Sequence, residues 1–373
     1  MTSRADVVVI GAGIAGLSAA WALATEASVV VIEQELLPAT HTSGRSAALI
    51  SETSGPPEVC ALAAASRPFL TDPPESFTPV PLLHPRGMLW VTDSPGGLNQ
   101  IATQASEQDI EHQVLSAAAA VEQVSVLRQD WVAEAVLEPQ AKTIDVAALI
   151  EAYRRGLLDR GGRLSISSPA IGARRVGNHW EVEVPDETFV CDLVIDAAGA
   201  WADQVAGTAG LEPLGLRPLR RTAFTFPVPH PDRGHWPLVM NHGGRFYFQP
   251  EGEGLLASPA DETPCEPHDA RADELAMAKA TDALAEATTL QVRGVNSRWA
   301  GLRTFAPDRL PVVGFDPRTD GWFWLAGQGG GGIKTAPAMA ELTRHLVLGS
   351  RSADSIGPVE HLAPALGPTR LIA

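Results

Sequence analysis

The sequence predicts a mixed α/β fold, in which a parallel-stranded unit is interrupted by an antiparallel one. Three observations predict it. Residues 8–19, "VVIGAGIAGLSA", join a buried-strand pattern to a glycine turn and a helix. A second glycine turn, "GQGGGG", recurs at residues 327–332. Between them "RRTAFTFPV", "RFYFQPE" and "GLLASPA" alternate as antiparallel strands do, and "GEG" (Gly252–Gly254) forms a hairpin turn between the last two.

The chain has 373 residues, enough for two domains or one large unit with insertions. Apolar residues make up 45%, which supports a sizeable core. The net charge of −16 repels phosphate backbones, so nucleic acid is not an expected partner. Cys60, Cys191 and Cys265 are far apart and lack CxxC spacing. That argues against a structural zinc site or disulfide framework and suits a reducing, cytoplasmic setting. The first strand begins near Asp6, which leaves no room for a secretory signal, and no apolar run is long enough to span a bilayer. No metal site is expected.

"ADVVVI" is apolar and β-branched, fit for a strand buried on both faces. "GAGIAG" follows and sets Gly11, Gly13 and Gly16 in the G-x-G-x-x-G pattern. Gly11 permits the tight turn, Gly13 lets a phosphate approach the backbone, and Gly16 lets the helix sit against the strand. The helix start, with Ile14 and Ala15, points its N–H groups at a pyrophosphate. "SVVVIE" is the second strand, and Glu33, 22 residues after Gly11, can accept hydrogen bonds from both ribose hydroxyls. The same carboxylate disfavours a 2′-phosphate.

After this strand the chain does not continue as a nicotinamide dehydrogenase would. It runs through Gln34 into "ELLPATHTSGRSAALISETSG", a polar loop with donors for a second phosphate and a polar ring system. "VCDLVIDAAGAWADQVA" adds a strand at Leu193–Ile195 and a small-residue turn. In the last element, Gly327, Gly329 and Gly332 again satisfy G-x-G-x-x-G, but no second strand or ribose-binding acid follows. It is therefore a turn against which a flat ring can lie, with the positive end of the next helix facing it. That arrangement stabilises the charge that develops on a reduced flavin. In "IDVAALIEAYRRGLLDRGG", Val146, Leu149, Ile150, Tyr153 and Leu157 follow a helical period and Gly161 ends it. This helix and "RLSISS" would return to the parallel sheet. The Pro-rich stretch "TDPPESFTPVPLLHPRG" reads as a loop over the site or at the domain junction.

Taken with "AAASRPFL", "DAAGAWADQVAGTAGLEPLGL", "LLASPADETP", "RWAGLRTF" and "AGQGGGGIKTAPAM", these stretches resemble the FAD-dependent D-amino-acid oxidase superfamily nearly end to end. Within that superfamily they are similar to the bacterial D-arginine and D-amino-acid dehydrogenases. The resemblance implies a Rossmann-like FAD-binding domain, formed by residues 1–53, 141–215 and 292–373, with an inserted mixed antiparallel-sheet substrate domain at 54–140 and 216–291. It implies noncovalent FAD, since no cysteine matches the covalent attachment of sarcosine oxidases. The FAD contacts expected are the first turn with Glu33 and Gln34; the loop Thr42, Ser43, Gly44, Arg45, Ser46, Ala47 and Ala48; Ala170; and Ala198, Gly199 and Trp201. Arg303 and the run Gly329, Gly330, Gly331, Gly332, Ile333, Lys334 and Thr335 complete the set.

Arginine is the natural fork for a carboxylate. The likeness matches Arg221 and Arg303 to a carboxylate-binding pair and Tyr247, one of only two tyrosines, to a hydroxyl on the same carboxylate. Lys334 is expected beside the ring, next to the substrate carboxylate or the flavin pyrimidine, with a solvated lysine at the helix start as the equal alternative. Leu49, Ser51, Ser54, Met88 and Gly330 are expected around the substrate. Leu49 stands where the D-arginine dehydrogenases have histidine, Ser54 where they have tyrosine, and Gly87 and Met88 where they have glutamate. The side-chain pocket therefore lacks the acid that a cationic substrate needs. The expected reaction is oxidation of an apolar or small D-amino acid by hydride transfer to flavin N5, giving a 2-oxo acid and ammonia. Reduced FAD would then pass its electrons to oxygen, a quinone or another acceptor. The alternatives are a glycine-, sarcosine- or proline-type amine oxidase, a 2-hydroxy-acid dehydrogenase and, remotely, a flavin-bound partner protein without turnover. His41 and His84 are expected to be structural or solvated.

Overall fold

Four-residue apolar runs form the centre of the molecule, because they can bury both faces of a parallel sheet. A computed structural model describes residues 1–349 and 356–372. Its central sheet has the spatial order Arg163–Ser165, Val29–Ile32, Val7–Ile10, Leu193–Asp196, Trp322–Ala326, Val312–Phe315. Neighbours are parallel except the last pair. Alternation sorts the side chains onto two faces. Val7, Val9, Val29, Val31 and Ile195 pack on the helices Ile14–Leu23, Val146–Asp159 and Gly332–Leu348. Val8, Ile10, Val30, Ile32 and Val194 pack on a small meander through Trp180, Val182 and Phe189. That meander is Gly172–Val176, His179–Val184 and Glu187–Cys191, joined in parallel by Thr2–Arg4.

The expected return of the middle segment to this sheet is present. Asp145 caps the helix Val146–Asp159 by accepting the Ala148 N–H at 2.9 Å, and Gly161 follows with φ +81°. Arg163–Ser165 then pairs with Val29–Ile32.

The second unit is built on a nine-stranded, largely antiparallel sheet, whose one parallel pairing is Leu238–Asn241 with Met88–Thr92. The hairpin Tyr247–Glu251 and Gly254–Ser258 turns at Gly252, φ +53°. One face packs Phe224, Phe226, Phe246 and Phe248 against the helix Glu274–Ala287. Ser297–Phe305, within the segment expected to bind cofactor, pairs along Arg217–Pro227 in this sheet. The Pro-rich stretch stays off the cavity described below. Its Phe77 packs on Trp21, Phe69 and Tyr153, and Leu83–Pro85 joins a small sheet with Lys142–Ile144 and Leu49–Ile50. No helix among the described residues is long and apolar enough to cross a membrane.

Candidate active site

The parallel strands end in a common crevice, the usual place for a ligand in an open α/β sheet. A cavity of about 360 Å³ opens there, lined by the strand ends Ile10, Ile32, Ala197 and Ala326 and by both glycine turns. Of the residues expected to hold FAD, Gly11, Gly13, Ile14, Ala15, Glu33, Gln34, Thr42, Ser43, Arg45, Ser46 and Ala47 line it. So do Ala170, Ala198, Gly199, Trp201, Arg303, Gly329, Gly330, Gly332 and Ile333.

The turn chemistry is specific. Gly11 has φ +105°, and a Cβ there would lie 2.6 Å from the Ala197 carbonyl oxygen. Gly16 lies behind the cavity; a Cβ there would lie 1.9 Å from the Gly11 carbonyl oxygen, so it serves helix–strand packing. Glu33 accepts the Ala12 N–H at 2.7 Å and the Glu35 N–H at 3.0 Å, one on each oxygen. Each oxygen keeps a lone pair for a ribose hydroxyl. Ser43 Oγ accepts the Ile14 N–H at 3.0 Å and ties the polar loop to the helix start.

Two further lining residues were not legible in the sequence. Gln328 Nε2 and Thr304 Oγ1 are buried and have no hydrogen-bond partner among the described residues. A glycine cradle and a ribose-type acceptor in one crevice fit FAD.

Several expected contacts lie elsewhere. Gly44 is spent on close packing, since a Cβ there would lie 2.8 Å from the Ala39 carbonyl oxygen. Ala48 accepts from the Ile144 N–H at 3.1 Å and stays off the cavity. Gly331 is the N-cap of the last long helix, and Thr335 is buried with its hydroxyl donating to the Gly331 carbonyl at 3.1 Å. Arg45 reaches the cavity wall, but its guanidinium donates to the carbonyls of Thr40, Ala270 and Ala300 and pairs with Asp269. It clamps backbone and holds no free fork for a phosphate.

Lys334 is the largest correction. Instead of facing the cavity, its Nζ donates to the carbonyls of Ser51 at 2.8 Å and Ser54 at 2.6 Å. Burial pushes its pKa down. Ser51 is buried too, because Glu138 collects its hydroxyl at 2.6 Å, the Thr53 hydroxyl at 2.6 Å and the Glu52 N–H at 2.9 Å. Glu138 lies opposite Met88 in the sheet, where no sequence pattern distinguished it. Ser51 and Ser54 therefore belong to a buried polar knot and do not line the cavity. Met88 is buried in an apolar cluster with Leu238, Tyr247 and Leu256, against which Leu49, Trp90, Met240 and Trp299 also pack. That cluster adjoins the cavity through Tyr247 and Ala47.

The register of the large sheet explains what does face the cavity. Arg221 lies opposite Gly301, and Arg303 opposite Leu219, so both arginines project from the same face. Ala223 and Tyr247 share it through their pairings to Trp299 and Ser258. Arg221, Tyr247 and Arg303 all line the cavity. Burial first, then the charge of Arg303, pushes the Arg221 guanidinium down to about 10, still charged at neutral pH. Among the described residues, neither the Arg303 guanidinium nor the Tyr247 hydroxyl has a hydrogen-bond or ion-pair partner. A Cβ on Gly330 would lie 2.9 Å from Arg303 Nη1, so the second glycine turn passes directly beside this cation. His41 also lines the cavity; it bonds to Glu35 at 2.8 Å and packs on Trp201.

Such a crevice, with a dinucleotide cradle on one side and two arginines on the other, of which Arg303 is unpaired among the described residues, defines a nucleotide-cofactor oxidoreductase. The family described as DAO, FAD dependent oxidoreductase, matches residues 6–346, and the chain belongs to it. It is 27% identical over 371 residues to glycine oxidase of Pseudomonas putida, spanning 92% of this chain and 95% of that one. A second curated relative is matched over only 48% of either chain. Glycine oxidase from Geobacillus kaustophilus has the same fold, with a TM-score of 0.85, 22% identity and 99% and 100% of the two chains covered. L-proline dehydrogenase from P. horikoshii superposes with a TM-score of 0.82 at 19% identity, over 99% and 98%. The cofactor of this protein is FAD.

Proposed function

We propose that the protein oxidises the Cα–N bond of an apolar or small amino acid, with D-amino acids as the preferred class. The observation that carries this reading is that the unpaired Arg303 guanidinium and the Tyr247 hydroxyl line one cavity, on the same sheet face as Arg221. These groups can grip an α-carboxylate by charge-assisted hydrogen bonds, each contributing about 1.5–3 kcal/mol. FAD, when bound, supplies a two-electron acceptor at N5 for the hydride that leaves the α-carbon.

The chain's own part is orientation. Arg221, Arg303 and Tyr247 fix the carboxylate, and the face shared with Ala223 sets the α-carbon toward the glycine-lined wall. The substrate enters with its amine neutral, having given one proton to water. Loss of hydride then lets the nitrogen lone pair form the imine, and water hydrolyses it to the 2-oxo acid and ammonia. No residue among those lining the cavity is asked to act as a strong base.

Ala47, Ala223 and Tyr247 line the cavity with apolar surface, which supports an apolar side chain. Among the described residues that line the cavity, Glu33 is the only carboxylate, and it sits beside the first glycine turn. A cationic side chain would have no partner on the substrate side, so D-arginine and D-lysine are expected to be poor substrates. A second reading, oxidation of glycine or a secondary amine, draws on the glycine oxidase and L-proline dehydrogenase relatives. Anaerobic mixing of the holoenzyme with D- and L-amino acids, glycine, sarcosine, proline and 2-hydroxy acids decides among these by bleaching of the flavin band. Bleaching by D-leucine or D-methionine at ten or more times the efficiency of D-arginine is the expected result; the reverse order rejects the proposal. Repeating the experiment in air separates oxidase from dehydrogenase.

A further inference from the structure

Arg221 does not hold itself in place. Its Nε donates to the Asp261 carbonyl at 2.7 Å and its Nη2 to Glu262 Oε1 at 3.1 Å. These two nitrogens form the side-on edge of the guanidinium, so the Nη1 hydrogens are left for a ligand. The same Glu262 oxygen also accepts from Arg309 Nη2 at 2.9 Å. Glu262 therefore sits between two arginines, one lining the cavity and one outside its wall.

The surrounding backbone is arranged to make this contact. Ala260, immediately before Asp261 and Glu262, has φ +54°, and Arg309 has φ +66°. Both are non-glycine residues in the left-handed region, a costly conformation that persists only where the surroundings enforce it. Asp261 pins the turn by accepting the Thr222 N–H at 2.6 Å and the Thr222 hydroxyl at 3.0 Å. On the other side, the Arg309 guanidinium lies 4.0 Å from the centre of the Phe305 ring. Two separate loops thus converge on one exposed carboxylate.

We propose that Glu262 is a positioning residue for substrate: it orients Arg221 so that the free edge of the guanidinium meets the substrate carboxylate, while Arg309 offsets its charge. An acid beside a carboxylate site would otherwise repel the ligand. Pairing with Arg309 leaves Glu262 close to neutral in effect, so orientation outweighs repulsion. This inference rests on the carboxylate-binding reading given above.

The test uses the FAD-loaded protein and benzoate, a carboxylate that cannot be oxidised at an α-carbon, followed by perturbation of the flavin spectrum. Glu262→Ala is expected to weaken benzoate about tenfold and to raise KM for the best amino acid similarly, with kcat within about two-fold. Glu262→Gln keeps an acceptor oxygen for Arg221 and is expected to recover most of the loss. FAD content and Tm are measured alongside, and Glu262→Leu serves as a second acceptor-free variant. If either acceptor-free variant binds benzoate as tightly as the unaltered protein, or more tightly, the positioning role is overturned. If the unaltered protein itself binds no carboxylate, the carboxylate-binding reading falls, and this inference with it.

Discussion

Two polar clusters lie close to the flavin crevice, and they are built from similar groups. Arg221, Arg303 and Tyr247 face the cavity, and the last two are left without partners among the described residues. Lys334, Ser51, Ser54, Thr53 and Glu138 lie behind the wall, linked in a hydrogen-bonded knot. Trp90 Nε1 extends the knot by donating to the Thr53 hydroxyl at 3.1 Å. The difference teaches that charge near a site is not by itself a binding signal. A buried group whose bonds are already made holds the fold; one left unmatched in a cavity is available to a ligand.

The sharpest way to break this comparison is to remove one cation from each cluster. Arg303→Met should weaken carboxylate binding about 100-fold, since it deletes two charge-assisted bonds, while Tm changes little. Lys334→Met should do the opposite. It leaves the Ser51 and Ser54 carbonyls without their donor and should destabilise the holoenzyme on the order of 2–3 kcal/mol, with benzoate affinity within about threefold. Benzoate titration and thermal unfolding on both variants check the pair; a large affinity loss in Lys334→Met would erase the distinction drawn here.

Tyr247→Phe is a smaller probe of the open cluster. The phenyl ring keeps the apolar packing, so only the hydroxyl is lost, and carboxylate affinity should fall about tenfold. A change confined to kcat would place the hydroxyl at the reacting carbon rather than at the carboxylate.

The smallest effect concerns a group outside both clusters. Asp196 is fully buried, accepts the Ala198 N–H at 3.2 Å, and is pushed well above the usual carboxylate range by burial. A raised folded pKa means that the folded protein binds the proton more tightly than the unfolded chain. Its stabilising share is present at low pH and is lost as pH rises from the ordinary carboxylate value through the folded one. Asp196→Asn keeps the acceptor oxygen and removes the ionisation, so Tm should rise on the order of 2 °C at pH 8, with the gap closing as pH falls. An equal gap at every pH would show that charge is not the cause.

Much of the cofactor side was legible because its constraints are local. The positive φ at Gly11, the packing at Gly16 and the acid closing the second strand all follow from what a tight strand–turn–helix needs. Arg221, Arg303 and Tyr247 came from a family likeness, and their convergence needed the strand register. Leu49, Ser51, Ser54 and Met88 were expected at the substrate, yet they fell behind the wall. Nothing local in the sequence announces that Glu138, far along the chain, collects the Ser51 and Thr53 hydroxyls. Gln328 and Thr304 escaped notice for a related reason: an unmatched buried atom is defined by what surrounds it.

By itself, then, the sequence determined the alternation of apolar faces, the glycine turns and the acid beside them, because each depends on residues within a few turns of chain. Only the tertiary structure decided which charged groups remain free. That choice depends on partners brought together from distant segments, and a lysine satisfied by two carbonyls reads the same in one dimension as a lysine waiting for substrate.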